Sequence, residues 1–162
     1  MQLSLVLELL VLITVANGVP VIAKTLLGTR WDRSLDGGAT WFDGRPWFGP
    51  SKTIRGVVLS LLVTPLVAAL MGLPWALGLL VACGTMLGDL ISSFIKRRLG
   101  RAPSSMALGL DQIPESLLPF LLSRLLVPVS LVEILAGVAI FCVAAPLVSR
   151  LFFRLGLRDQ PY

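Results

Sequence analysis

Long apolar runs, separated by polar or glycine- and proline-rich segments, make up most of this chain. Apolar runs of this length predict helices, because a helix satisfies its own backbone hydrogen bonds in apolar surroundings. The pattern predicts five helices, with a kink at Pro20 in the first and Pro119 inside the short fourth. Their expected bounds are about Gln2 to Leu27, Gly56 to Met71, Trp75 to Ile95, Ile113 to Leu126 and Val129 to Phe153.

Composition places the chain among polytopic α-helical membrane proteins. Its 162 residues are 56% hydrophobic and only 14% charged, whereas soluble domains average about 25% charged residues. The mean hydropathy is +0.88. We therefore predict an all-α, polytopic integral membrane protein, a single membrane domain over residues 1–162 with five transmembrane helices. The first apolar run is interpreted as a spanning helix, because it lacks the basic start and small-residue cleavage site of a signal peptide.

Basic residues indicate which side of the membrane each loop faces. They are concentrated in the loops at 28–55 and 96–112 and in the C-terminal tail, which carries Arg150, Arg154 and Arg158. The positive-inside rule places both loops and the C-terminus in the cytoplasm, and the N-terminus outside the cell membrane. The net charge of +5 is attributed to this orientation and to phosphates or lipid headgroups, with no nucleic acid partner.

Some chemistry is excluded by what the chain lacks. It has no histidine, which removes histidine-based zinc sites and a histidine general base from consideration. Cys83 and Cys142 lie inside apolar runs, which predicts packing and not a disulfide or metal site. Arg124 and Glu133 fall near the predicted turn between the fourth and fifth helices, where they could pair at the outer face, and both are assigned a structural role.

The stretch from Gly88 to Gln112 carries the candidate chemistry. On a helix, Asp89, Ser93 and Lys96 share one face. Asp89 would lie about 10 Å deeper in the membrane than Lys96, where a bare carboxylate is costly. A second acid, Asp111, ends the basic loop. Two acids beside a basic cluster favour a site for Mg²⁺ and phosphate groups, since hard cations prefer carboxylate oxygens.

Structural alternatives stand beside this interpretation. Asp89 could instead form an ion pair with Lys96, Lys24 or Arg97. The basic run that begins at Lys96 is also typical of any helix end facing the cytoplasm. Asn17 either caps the proline kink or faces a functional cavity, because polar side chains at membrane depth usually point into the bundle.

The loop at 28–55 mixes charges, glycines and tryptophans without periodicity, which is typical of functional loops. Its likeness to a phosphate-binding loop fails, because two residues separate Gly49 from Lys52. Lys52 and Thr53 can still offer an ammonium group and backbone N–H groups to phosphates. The interfacial aromatic belt is the preferred interpretation for most of the loop's tryptophans, Trp31, Trp41 and Trp47.

Several of these residues together resemble a known signature. Gly88-Asp89-Leu90, Ser93 and Lys96-Arg97, with Leu110-Asp111-Gln112 further on, resemble the motif of membrane cytidylyltransferases that make CDP-activated lipids. Unlike the bacterial enzymes, the chain lacks Lys-Asp and His-Gly-Gly elements between its two Asp residues, and it lacks their second Asp after the Leu-Asp motif, with Pro114 near that place. It is more similar to the CDP-archaeol synthase family, over nearly its whole length. The additional motifs are Asn17-x-x-Pro20, Asp36-x-Gly38, Asp43-Gly44-Arg45 and Gly49-x-x-Lys52-Thr53-x-x-Gly56.

The resemblance implies a Mg²⁺-dependent transfer of CMP from CTP to a prenylated glycerol-phosphate lipid, unsaturated archaetidic acid, with release of pyrophosphate. It implies that Asp89 and Asp111 are metal ligands and, with Lys96, catalytic residues. The catalytic residues would then lie in or beside the loops at 28–55 and 96–112, which the positive-inside rule places in the cytoplasm. The residues expected to bind substrate are Asn17, Asp43, Arg45, Lys52, Thr53, Ser93, Arg97 and Gln112.

Two other functions were weighed against this one. A CDP-alcohol phosphatidyltransferase is disfavoured, because the chain lacks the Gly-x-x-x-Asp-x-x-x-Asp ending of that family's motif. A small transporter with an ion or substrate site on the cytoplasmic side is suggested by the kinked first helix, Asp89 and the proline of the fourth helix. The clustering of polar residues on one side and the lack of a visible inverted repeat argue against a transporter.

Overall fold

The computed structural model describes residues 2–156, which fold into five helices joined by two long polar loops and two short turns. The predicted tail residue Arg158 lies outside the described residues. The helices are α1 (Leu3–Leu27), α2 (Ile54–Leu70), α3 (Trp75–Arg98), α4 (Gln112–Ser123) and α5 (Leu131–Arg154). The all-helical prediction is confirmed, and its bounds are close to those expected. The C-terminal end of α3 lies three residues later than predicted, at Arg98, so the basic run belongs to its last turn.

Three helices are long and apolar enough to cross a membrane, namely α1, α3 and α5. The apolar helix α2 is shorter, with 17 residues, and α4 has only 12. A helix of 12 residues rises about 18 Å, against a bilayer core of about 30 Å. The membrane architecture is therefore supported by three clear candidate spans and one shorter apolar helix.

Local sequence explains where two of the helices begin. The Thr53 side chain accepts a hydrogen bond from the Gly56 N–H at 3.2 Å and so caps α2. Ser130 and Glu133 form a reciprocal capping box at the start of α5. Glu133 also accepts a hydrogen bond from the backbone N–H of Gln2. Glu133 therefore has a structural role, as predicted, but its carboxylate serves the helix cap, and the structure shows no ion pair between it and Arg124 among the described residues.

Glycines on α3 allow its neighbours to approach closely, as small residues do in membrane bundles. A Cβ atom at Gly78 would lie 2.7 Å from the Ala68 Cβ, and one at Gly84 would lie 2.7 Å from the Pro119 Cα. At Gly88 it would lie 2.6 Å from the backbone nitrogen of Glu115. The start of α4 is therefore held directly against the part of α3 that carries Asp89.

The buried core lies between α1, α3, α4 and α5. Its fully buried side chains include Leu9, Leu12, Ile13, Leu77, Val81, Phe120 and Ile134. Cys83 and Cys142 are free thiols, half-buried on α3 and α5. The core fixes the helix ends that lead into the two polar loops.

Candidate active site

The first polar loop is ordered around Asp36. Its carboxylate accepts hydrogen bonds from the Ser34 hydroxyl and from the N–H groups of Gly38, Phe48 and Gly49, the last at 2.8 Å. Burial alone would raise the pKa of Asp36, but these hydrogen bonds lower it to about 2. The backbone therefore has a fixed course where it enters the Gly49-x-x-Lys52 segment.

A second set of contacts joins this loop to the start of α2. The buried guanidinium group of Arg55 donates hydrogen bonds to the carbonyl oxygens of Gly28 and Arg30 and to Asp32 Oδ1, the last at 3.2 Å. An isolated antiparallel bridge pairs Ser34 with Thr53. Both ends of the loop are thus held together beside α1.

A cavity of about 720 Å³ lies between the five helices and the two polar loops, with the start of α4 forming part of its wall. This volume is within the range of small-molecule sites. Part of its wall is apolar and comes from α5, including Phe141, Ala145 and Phe152. Its polar wall contains most of the residues singled out from the sequence, namely Asn17, Lys52, Thr53, Asp89, Ser93, Lys96, Arg97, Asp111 and Gln112.

Each of the two acids predicted as metal ligands is paired with a lysine. The Lys52 Nζ lies 2.5 Å from each carboxylate oxygen of Asp89, and both side chains are about one-fifth exposed. The Lys96 Nζ lies 2.7 Å from Asp111 Oδ1 and donates a hydrogen bond to the Ser105 carbonyl oxygen at 3.0 Å. The sequence predicted Lys96, Lys24 or Arg97 as possible ion-pair partners of Asp89, and the partner in the structure is Lys52 instead.

The donor set suits a hard cation that also binds phosphate. Within residues 2–156, no three acidic, histidine or cysteine side chains lie close enough together to hold an ion. Mg²⁺ is commonly bound by one or two carboxylates, with substrate phosphates and water completing its shell. Asp89 and Asp111 fit that arrangement. Two protein carboxylates alone do not make a closed metal cage.

Two buried donors in the cavity wall have unused hydrogen-bonding groups. Arg97 is 4% exposed, and its Nη2 donates to the Ala102 carbonyl oxygen at 2.8 Å. Its Nε and Nη1, and the Nδ2 of Asn17, have no hydrogen-bond partner among the described residues. Buried unpaired donors cost free energy. An anionic ligand in the cavity would satisfy them.

Three further predicted residues line the same cavity. Ser93 is 2% exposed and lies one turn after Asp89 on α3. The Gln112 side-chain oxygen accepts a hydrogen bond from the Gly109 N–H at 2.7 Å. Thr53 uses its hydroxyl oxygen to cap α2. All three lie where a polar ligand would contact them, although Thr53 and Gln112 already have partners within the chain.

Asp43 and Arg45 are not brought to this cavity. Asp43 forms an ion pair with Arg98. The Arg45 guanidinium group donates to the carbonyl oxygens of Arg97, at 3.3 Å, and Arg98. These carbonyl groups belong to the last turn of α3, where a helix leaves acceptors unpaired. The pair therefore fastens the first polar loop to the end of α3.

The sequence analysis missed Glu115. Its side chain lines the cavity and interacts with those of Asp89 and Lys52. It lies one helical turn after Asp111, and its backbone nitrogen packs against Gly88. The available signal was an acid four residues after Asp111, at the start of an apolar run.

Comparisons with known proteins show the family to which the chain belongs. Residues 73–162 match the family model described as CarS-like: CDP-archaeol synthase. The chain is 31% identical over 153 residues to the CDP-archaeol synthase of Pyrobaculum aerophilum, with 91% of this chain and 92% of that one covered. This chain belongs to the CDP-archaeol synthase family. The resemblance inferred from its motifs is confirmed.

Other family members extend the comparison. The CDP-archaeol synthase of Thermococcus onnurineus is 33% identical over 163 residues, covering 91% of this chain and 89% of the relative. The synthase of Pyrococcus furiosus is 42% identical over 107 residues, and that match spans only 60% of each chain. Since these relatives are synthases, the transporter alternative finds no support.

A solved structure shares the fold. It is described as an intramembrane enzyme for archaeal membrane lipids biosynthesis. The TM-score is 0.68 at 25% identity, over 83% of this chain and 89% of that one. The helical arrangement described above is therefore shared with a solved intramembrane enzyme.

Proposed function

We propose that this protein is a membrane cytidylyltransferase of archaeal phospholipid biosynthesis. It would transfer CMP from CTP to unsaturated archaetidic acid, giving a CDP-archaeol lipid and pyrophosphate. The observation that carries this proposal is the position of Asp89 and Asp111. Both acids of the family motif line one cavity that also has a strongly basic wall and an apolar wall. A nucleotide triphosphate and a lipid phosphate need such a combination.

The reaction requires positioning and charge neutralisation more than a strong base. An oxygen of the lipid phosphate attacks the α-phosphorus of CTP, and the bond from that phosphorus to the β-phosphate oxygen breaks. The nucleophile is already ionised, which agrees with the lack of histidine. We assign Lys52, Lys96 and Arg97 to neutralising charge on the phosphates, as in other phosphoryl transfers.

Asp89 and Asp111 are the proposed ligands for Mg²⁺. When bound, this ion would neutralise negative charge on the phosphates of CTP. Because each acid is paired with a lysine, we propose that Lys52 and Lys96 exchange their carboxylate partners for phosphate oxygens when substrate enters. Each lysine and each carboxylate would then have an oppositely charged partner both with and without substrate.

The remaining cavity residues are assigned by their position. Asn17, Thr53, Ser93 and Gln112 would form hydrogen bonds to nucleotide or lipid phosphate. The prenyl chains would lie along the apolar wall between α1 and α5, which includes Phe141. For Asp43 and Arg45 we propose an indirect contribution, because their contacts hold the loop against α3.

We also propose the finer topology, in which all five helices enter the membrane and the N-terminus is outside. The cavity and the catalytic loops at 28–55 and 96–112 would then face the cytoplasm of the cell. Labelling with a membrane-impermeant maleimide tests this orientation in cysteine-free protein. Leu108→Cys should react only from the cytoplasmic side and Met71→Cys only from outside, and the reverse pattern would overturn the topology.

Turnover of labelled CTP by purified protein tests the function. CDP-lipid and pyrophosphate should form in equal amounts when CTP, Mg²⁺ and a prenylated lipid phosphate are all present. Omission of the lipid should stop pyrophosphate release, and EDTA should stop it until Mg²⁺ is restored in excess. An acyl phosphatidic acid, supplied in parallel, reports lipid selectivity. Failure to form any CDP-lipid under these conditions would refute the proposal.

A further inference from the structure

A short hairpin within the first polar loop packs on the outside of α3. An isolated bridge pairs Thr40 with Pro46. The Trp41 N–H donates a hydrogen bond to the Arg45 carbonyl oxygen at 2.8 Å, and the Gly44 N–H donates to the Trp41 carbonyl oxygen at 2.9 Å. We call residues 40–46 the loop hairpin.

Aromatic rings join the loop hairpin to α3. The ring centroid of Trp41 lies 5.4 Å from that of Phe94 and 4.5 Å from that of Trp47. Trp47 is also 6.0 Å from Phe94. Phe42, at the hairpin turn, rests edge-on against Trp41 at 5.1 Å but is 96% exposed. One large apolar ring is therefore presented outward from a rigid support.

The support belongs to the lipid-facing side of α3. Leu87, Ile91, Phe94 and Arg98 recur at intervals of about four and three residues, which places them on one helix face. Leu87 is 52% exposed and Ile91 46% exposed, on a helix that is long and apolar enough to span a membrane. Side chains in such positions face lipid, so the loop hairpin continues the lipid-facing surface at the helix end.

Arginine side chains beside the loop hairpin are suited to the phosphate groups of a membrane surface. Arg45, Arg98 and Arg101 lie around the end of α3, where Asp43 forms an ion pair with Arg98. The Arg98 guanidinium carbon lies 4.9 Å above the Phe94 ring centroid. Leu99, the next residue, is 64% exposed. Tryptophan and arginine side chains beside exposed apolar ones are typical of the membrane–water interface.

We propose that the loop hairpin is an interfacial anchor, in which Phe42 inserts among the lipid glycerol groups beside α3 while the surrounding arginines face anionic phosphates. This inference does not depend on the reaction proposed above. Asp43 and Arg45, whose contacts hold the first polar loop against the end of α3, would then also hold the anchor in place. The anchor also means that the bilayer itself helps to hold the first polar loop, which carries Lys52, over the cavity.

Spin labelling in nanodiscs tests the anchor. The label is attached at Phe42→Cys in protein whose Cys83 and Cys142 have been replaced by alanine. The matched control is Arg33→Cys, an exposed site in the same loop that does not line the cavity. The Phe42 label should collide more often with oxygen than with a water-soluble nickel complex, and the Arg33 label should show the opposite order.

A second label position and a comparison of lipid compositions test the anchor further. If Phe42→Cys does not fold, Leu99→Cys provides a second label position on the same surface and should give the same order. Anionic lipids should immobilise either label more than zwitterionic lipids do, because of the arginines. If the labels at both positions collided more often with the nickel complex than with oxygen, the proposal would be overturned. A short label–label distance that persists in nanodiscs would also overturn it, since it would indicate a second copy of the chain as the occupant.

Discussion

The Lys52 Nζ lies 2.5 Å from both carboxylate oxygens of Asp89, across 37 residues of sequence. The lysine comes from the first polar loop and the acid from the apolar helix α3. Each side chain is only about one-fifth exposed, so each charge depends on the other for compensation. This pair therefore connects the stability of the protein to the groups that we propose bind substrate.

Removal of Lys52 should lower the free energy of unfolding while leaving the fold intact. Lys52→Met leaves Asp89 with an uncompensated charge, and we expect the free energy of unfolding in bicelles to fall by about 1–3 kcal/mol. This is less than the 3–5 kcal/mol of a fully buried pair, because water reaches both groups.

The double variant Lys52→Met, Asp89→Asn should recover most of that loss while staying inactive. Arg33→Met, which removes an exposed charge from the same loop, should change stability by about 0.5 kcal/mol or less. A double variant no more stable than Lys52→Met alone would show that the two charges are not coupled.

Loss of either acid of the family motif should abolish turnover. Asp89→Asn and Asp111→Asn each remove a proposed ligand for the ion that neutralises the triphosphate, so CDP-lipid formation should fall by about 100-fold or more. Size-exclusion chromatography in detergent checks that each variant still folds. Glu8→Gln, which removes an acid from α1 outside the cavity, should keep normal turnover. Normal turnover in an Asp89 or Asp111 variant would exclude that residue from the metal site.

The close approach of α3 and α4 should tolerate no added methyl group at Gly88. In Gly88→Ala the new Cβ would meet the backbone of Pro114 and Glu115, and overpacking of this kind costs about 1–3 kcal/mol. Turnover should fall as well, because α4 carries Glu115 and begins beside Asp111.

Gly18→Ala provides the matched helical control for this substitution. Its Cβ would lie 3.7 Å from the Phe152 ring, an ordinary van der Waals distance. Since alanine is the better helix former by about 1 kcal/mol, this variant should be as stable as the natural protein or more so. Equal stability of the two variants would refute the packing argument.

The ordered first loop should depend on the ionisation of Asp36. Hydrogen bonds lower the pKa of Asp36 from 3.8 to about 2 in the folded protein, so the ionised carboxylate favours folding. This stabilisation should be fully present above about pH 4 and be lost as the pH falls through about 2. Thermal unfolding curves of the natural protein and Asp36→Asn should therefore differ at pH 6 and converge towards pH 2.

If the unfolding temperatures of the natural protein and Asp36→Asn differed by the same amount from pH 6 to pH 2, ionised Asp36 would not be the group that stabilises the loop. Hydrogen exchange offers an independent check at pH 6. The amides of Phe48 and Gly49, which donate to Asp36 Oδ2, should exchange faster in Asp36→Asn. Amides in the middle of α1 should be unchanged in the same sample.

Local pattern was enough to predict the helices, the membrane class and the family. The bounds of α1 and α3 follow from apolar runs that end at polar residues, and the Gly88-Asp89-Leu90 motif needs no tertiary information to be read. Helical periodicity likewise placed Asp89, Ser93 and Lys96 on one face, and all three line the cavity.

Tertiary structure alone decided which charges meet. The partners of Asp89 and Asp111 depend on how the first loop folds around Asp36 and on how closely α4 packs against Gly88. The same packing brought Glu115 into the site and left Asp43 and Arg45 at the end of α3. Periodicity relates residues within one helix, whereas these contacts join distant segments whose separation is fixed only when the helices pack.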